Sequence, residues 1–257
     1  MRDFTKKIYK QLLERLLEQG YIFLTFRDYL TKKIDSEKFI ILCHDVDLKP
    51  QNSLATAEIE SALDICSTYF FRIIPASFDE KIIKHILQLE HEIGYHYENL
   101  SICRGNVTMA LEDFRKNLTI FQQYSKITSI SSHGSPLSKW DNREIWQNFD
   151  YKSLGILGDP HCDTDFSQVT YLTDTGRMWD GNKVSVRDKI DSPYSNKYHT
   201  TLDIIQAVES NNFPSKIMIN THPQRWNDNI YQWSKELLLQ KLKNNIKKII
   251  VNRSSHQ

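Results

Sequence analysis

The sequence predicts a single α/β domain built on a parallel sheet. Three observations lead there. Short continuous apolar runs alternate with stretches of helical periodicity, the order expected when strands buried on both faces are returned by helices. No internal repeat and no linker-like tract divides the chain. A length of 257 residues admits two small domains or one barrel-sized unit, and the lack of a linker favours one.

The elements follow in order. Residues 5–19 align Ile8, Leu12, Leu13, Leu16 and Leu17 on one helical stripe, and Gly20 follows as a C-cap. That stripe allows packing on the domain itself or on a partner. Phe39 to Cys43 is the first apolar run, a strand buried on both faces. A helix at about 51–66 carries Leu54, Ile59 and Leu63 at helical spacing, and Thr68 to Ile74 is rich in β-formers. A helix at 79–90 presents Ile82, Ile83, Ile86 and Leu87, and Glu92 to Tyr97 is the next strand. A helix at 107–124, with Met109, Leu111, Phe114, Leu118 and Phe121 inward, leads to a strand from Ile127 to Ser132. The stretch 135–200, broken by Pro136, Pro160 and Pro193, is expected to hold short strands and long loops. Regularity returns with a helix at 201–210, a strand from Lys216 to Asn220 and an amphipathic helix at about 229–246. Residues 1–37 are therefore an N-terminal helical segment packed on a core of about 38–225.

Composition narrows the function. With 33 Lys+Arg against 32 Asp+Glu the net charge is +1, so the basic excess that usually marks nucleic-acid binding is missing. At 40% hydrophobic and 11% aromatic the chain can bury a sizeable core. No run approaches the roughly 18 apolar residues of a membrane span. The first residues carry charges without an apolar signal region, so a cytoplasmic protein is expected. Cys43, Cys66, Cys103 and Cys162 form no Cys-x-x-Cys pair and are expected as small buried hydrophobes.

Ligand-binding loops of parallel sheets begin at the C-terminal ends of strands. Four of the nine histidines fall there: His44-Asp45-Val46-Asp47, His96-Tyr97-Glu98, His133-Gly134-Ser135-Pro136 and Thr221-His222-Pro223. The others are His85 and His91 near helices, His161 and His199 in irregular segments, and His256 in the tail. One such histidine is commonly a hydrogen-bonded structural residue, and Asp45 and Asp47 alone suit a helix cap. Four strand ends of one parallel sheet, however, converge on one mouth. Imidazole plus carboxylate without thiolate is a donor set for Zn²⁺ or a similar divalent ion with an open position. Such an ion lowers the pKa of bound water to about 7. Amide hydrolysis then needs a base for the water and an acid for the leaving amine.

These residues resemble the polysaccharide deacetylases, also called NodB-homology carbohydrate esterases. His91-Glu-Ile-Gly-Tyr-His96 is similar to that family's Gly-His-Glu-Ile-Gly-x-His segment, with Glu90 in place of the leading Gly. With His44 to Asp47, Ser67 to Phe71, His133 to Pro136 and Thr221 to Pro223, the resemblance spans about 38–225 and points to a divergent, non-secreted branch. It implies a distorted (β/α)7 TIM-like barrel with a divalent metal, most simply zinc, at its mouth. It implies Asp45 as catalytic base, Asp47 and His96 as metal ligands, and His222 as general acid. The family's second metal histidine falls at Leu100, so His133 is expected to supply the third ligand, with Glu98 as competitor. In the segment Tyr171 to Asp180, Asp174 is expected to orient a metal-ligand histidine, Arg177 to meet an anionic substrate group and Trp179 to stack on a sugar or base. A Gly-turn hairpin with Trp179 in the core is the competing expectation. His44, Tyr97 and Trp226 complete the candidates for substrate contact or for support of the ligands.

The resemblance thus implies a metal-dependent N-deacylase acting on an acetylated or formylated amino sugar. Without an export signal, a nucleotide-linked or lipid-linked precursor of a bacterial surface polysaccharide is expected. A carbohydrate-binding protein without catalysis, and a metal hydrolase of another amide or ester, are the alternatives. The sequence does not set the oligomeric state.

Overall fold

The structure is a computed structural model that describes residues 2–180 and 197–254. The part of the irregular stretch at 181–196, Pro193 included, and the tail at 255–257 with His256 lie outside the described residues.

Helix α1 (Lys6–Glu18) starts where the Thr5 side chain accepts from the Ile8 amide at 3.2 Å. Its stripe of Ile8, Leu12, Leu13 and Leu16 packs on the domain's own sheet, against Ile40, Leu42, Ile217 and Ile219. Two short elements with little periodicity follow, β1 (Ile22–Leu24) and α2 (Phe26–Thr31). Then β2 (Phe39–Val46), α3 (Pro50–Ser61), β3 (Thr68–Phe71), α4 (Glu80–Gln88) and β4 (Glu92–Tyr97) alternate. The short α5 (Asn99–Ile102) and long α6 (Val107–Gln122) lead to β5 (Ile130–Ser132). The remainder holds α7 (Pro160–Asp163), β6 (Thr170–Thr173), α8 (Thr201–Glu209), β7 (Lys216–Thr221) and α9 (Ile230–Ser254).

All strand pairs are parallel, in the order β5-β4-β3-β2-β7-β6, with β1 sharing an edge of β2 with β3. The sheet curls, because Asp45, Phe70, Ser131, Tyr171 and Met218 from five strands surround one internal space. Among the described residues no ladder joins β5 to β6, so the expected barrel is open at that seam. Residues 156–163 fill the gap instead: Gly158 bridges Ser129, and Pro160 and His161 border the internal space beside Tyr171. A plug rather than a strand suffices there because its Gly158 carbonyl accepts the Ile130 amide at 3.1 Å.

Burial departs from the sequence pattern at four places. Met109 lies on the exposed side of α6. In α3 it is Ser53, Thr56, Ala57 and Glu60 that are buried, while Leu54 and Ile59 are half-buried. In α9 Glu236, Gln240 and Asn244 are buried while Leu238, Leu239 and Leu242 are exposed, so the helix turns its polar side inward. Of the cysteines only Cys43 is buried, Cys162 is exposed, and all four are free thiols.

Candidate metal centre

Side-chain alternation along each strand selects what enters the curl. On β2, Ile40 and Leu42 join the outer helical layer, whereas Ile41 and Cys43 join the interior. Continuing that parity points His44 and Val46 outward and Asp45 and Asp47 inward. Val46 packs in the outer layer against Tyr69 and Phe71. On β4, Ile93, Tyr95 and Tyr97 face the outer layer, which sends His96 and Glu98 inward. The same count brings His133 in beyond β5 and Asn220 and His222 in at the end of β7.

Asp47, His96 and His133 place one ligand atom each within 4.8 Å of one another. The Nε2 atoms of His96 and His133 lie 3.6 and 3.5 Å from Asp47 Oδ1. Each imidazole is held from behind by its other nitrogen. His96 Nδ1 lies 3.0 Å from the Ser131 carbonyl, to which it donates, and His133 Nδ1 lies 3.1 Å from Glu98 Oε2. This fixes the rings so that Nε2 faces the carboxylate, the arrangement that orients imidazole for a metal. Glu98 is itself anchored by the Arg72 guanidinium, whose Nε donates at 2.8 Å. Burial pushes the Glu98 carboxyl up, but His133 and Arg72 outweigh it and hold it down at about 2. Burial also raises Asp47, yet the charges of His133, His222, His96 and Arg72 keep it well below the usual carboxylate range. For His96, burial lowers the imidazole and favours its neutral form against the pull of Asp45.

Asp45 sits deeper. Its Oδ2 accepts from Asn220 Nδ2 at 2.8 Å and its Oδ1 lies 3.7 Å from His96 Nδ1. Across the mouth, His222 Nε2 is 3.9 Å from Asp47 Oδ2. His222 Nδ1 lies 2.7 Å from Asp174 Oδ1, and its backbone N–H donates to Asp174 Oδ2 at 3.1 Å. Arg225 and the Trp226 indole N–H donate to the same carboxylate; burial pushes it up, but Arg225 and His222 hold it below its ordinary range, so Asp174 orients His222 and not the expected ligand histidine. Asp47 and His133 open on a cleft of about 320 Å³, which Arg72, Gln224 and Arg225 also line together with Gln240, Lys243 and Ile246 of α9.

Other expected contacts lie elsewhere. His44 is fully buried in the outer layer, its Nε2 2.9 Å from Glu60 and its Nδ1 2.7 Å from Thr221 Oγ1. Tyr97 donates to Asp159 and packs on Phe114 and Trp146. Trp179 is core, its indole N–H donating to Thr201 and its ring lying beside Phe4. Trp226 is also core, its indole N–H donating to the Asp174 carboxylate that holds His222. Arg177 is buried with its guanidinium over the Trp233 ring at 4.5 Å, away from the cleft. In each case strand parity or a distant aromatic partner takes the side chain from the mouth. Arg72, Asn220, Gln224 and Arg225 were not singled out from the sequence. Counting alternate residues to the ends of β3 and β7 finds the first two; the others follow His222 in a short 3₁₀ turn, Pro223–Arg225, that has no sequence signature.

No protein-family model matches the chain, and no curated protein does. Among solved structures it is similar to the crystal structure of a wild-type CE4 family pseudoenzyme from Bacillus anthracis, at 12% identity and a TM-score of 0.45. The match covers 83% of this chain, which spans 63% of the length of that one.

Proposed function

We propose that the chain is a metal-dependent hydrolase that removes an N-acyl group, acetyl or formyl, from an amino sugar. The observation that carries this reading is the convergence of Asp47, His96 and His133 beside a second carboxylate and a third, carboxylate-held histidine. The donor set fits a divalent cation such as zinc. Asp45 Oδ1 and Asp47 Oδ1 are buried acceptors that no donor among the described residues satisfies, and a cation would satisfy them. Asp47, His96 and His133 would hold it. When bound, such an ion supplies Lewis acidity and lowers the pKa of water.

The remaining roles fall to the chain's own groups. Asp45, buried beside His96 and held by Asn220, accepts the proton of the attacking water. His222, oriented by Asp174, gives a proton to the leaving amine. Glu98 is occupied by Arg72 and His133, which favours it as the support of a ligand and His133 as the ligand. Leu100 is buried in the outer helical layer, so β5 is the neighbouring element that can supply the third donor. In the setting we propose, the substrate is a nucleotide- or lipid-linked precursor of a surface polysaccharide.

Elemental analysis with an acyl-release assay tests this. Wild type should hold about one ion per chain, and His96→Ala or His133→Ala should lose it. Asp45→Asn should keep the ion while acetate or formate release falls roughly 10²–10⁴-fold. Full metal occupancy in His133→Ala would move the ligand to Glu98. A loaded wild type that releases neither acid from any amino sugar in a broad panel would sink the hydrolase reading.

A further inference from the structure

Helix α9 is amphipathic in the inverted sense. Its buried polar residues are satisfied inward: Glu236 accepts from Lys49 at 2.9 Å, and Asn244 donates to the Gly176 carbonyl at 2.9 Å. At 3.6 residues per turn, Tyr231, Leu238, Leu239, Leu242 and Ile246 fall on one outward arc roughly 100° wide. Leu238 is 64% and Leu242 61% exposed. This arc runs beside the cleft, which Ile246 helps to line. Leu137, which follows β5 and lines the same cleft, is 84% exposed, so two separate segments bordering one opening offer large aliphatic side chains to the outside.

Charge identifies what covers them. Over 230–254 the sequence carries Lys235, Lys241, Lys243, Lys247, Lys248 and Arg253 against a single acid, Glu236, which is turned inward to Lys49. Pairing α9 with a second copy of itself would set cations against cations with no acid left on the helix to offset them. An anionic surface meets both features, because its charge attracts the lysines and its apolar interior takes the leucines. We propose that α9 and Leu137 dock the chain on an anionic lipid bilayer, lying in the interface with the cleft beside the headgroups.

Flotation of the full chain with vesicles tests the docking, and it needs neither metal nor substrate, so its outcome is independent of the hydrolase reading. The chain should float with vesicles containing phosphatidylglycerol, bind far less to phosphatidylcholine alone, and be released by salt. Leu238→Ser combined with Leu242→Ser should cut the bound fraction at least tenfold. Lys241→Glu should weaken binding about fivefold or more, the loss expected for one surface cation. Far-UV circular dichroism of each variant should match wild type. No flotation with anionic vesicles at low salt would overturn the proposal. So would sedimentation showing a dimer that the leucine substitutions dissociate, which would make the face a self-association surface, or binding indifferent to all three substitutions.

Discussion

Asp174 shows how one buried carboxylate organises a mouth it does not itself line. It holds His222 through two contacts and is held in turn by Arg225 and Trp226. Asp174→Asn should retain the metal yet lower turnover by roughly 10²–10⁴-fold, because His222 loses the anion that sets its orientation. Parallel metal and rate measurements check this; loss of both together would make Asp174 a structural residue. Glu90 offers a stability test at the same scale. It occupies the position of the leading glycine in the family segment and has φ of 66°, a left-handed conformation costly for any residue with a Cβ. Glu90 is exposed, so Glu90→Gly should stabilise the fold by roughly 0.5–1 kcal/mol in urea titration. A destabilised Glu90→Gly would show that its side chain contributes more than its backbone costs.

Strands β3 and β4 meet at Gly94, and there the curl leaves no room for a side chain. A Cβ would stand 2.4 Å from the Phe70 ring and 2.8 Å from the Ser129 carbonyl oxygen. Gly94→Ala should therefore cost about 1–3 kcal/mol, seen as a lower urea midpoint. A midpoint unchanged from wild type would refute this packing. Helix α3 is fastened by an unusual device, the fully buried Glu60. It accepts from Tyr9 of α1, from Tyr69 at 2.9 Å and from Ser67 at 2.5 Å, and it lies 2.9 Å from His44 Nε2. Burial pushes this carboxyl up, but His44, His91 and Ser67 outweigh it and bring it from 4.5 to about 2. A depressed folded pKa contributes stability that is complete above pH 4.5. As pH falls from 4.5 toward 2 the unfolded chain takes the proton first, and the contribution, about 3 kcal/mol, is lost. Glu60→Gln should remove that much at neutral pH and flatten the acid limb between those values. Equilibrium unfolding across the pH range checks it, and an unchanged acid limb would exclude Glu60 as its source.

At the scale of the whole molecule, the three donors arrive from the ends of β2, β4 and β5, so a bound cation ties together strands that span half the sheet. Binding confined to the folded state stabilises by about 2.7 kcal/mol at a free concentration one hundred times Kd. For a chain of this size that is a rise in Tm of roughly 5–10 °C. Zinc added to chelator-treated protein should produce this rise in wild type and none in His133→Ala. An equal rise in both would place the ion elsewhere. No helix among the described residues is long and apolar enough to cross a membrane, which leaves the outward face of α9 as the feature to test against lipid.

By itself the sequence determined the parallel α/β class, five of the seven described strands and the six described helices of nine residues or more, and the strand-end positions of Asp45, Asp47, His96, His133 and His222. These are legible because apolar period and strand parity are properties of neighbouring residues along the chain. Parity, carried two residues further, would also have sent His44 and Tyr97 outward and brought in Arg72 and Asn220. Only the tertiary structure decided what depends on residues far apart in sequence. It filled the seam between β5 and β6 with residues 156–163, buried Arg177 against Trp233, joined Glu98 to both Arg72 and His133, and gave Asp174 to His222. It also chose which side of α3 and α9 faces inward. There the amphipathic pattern misled, since a buried polar face is stable once distant donors and acceptors satisfy it, as Lys49 and Gly176 do for α9.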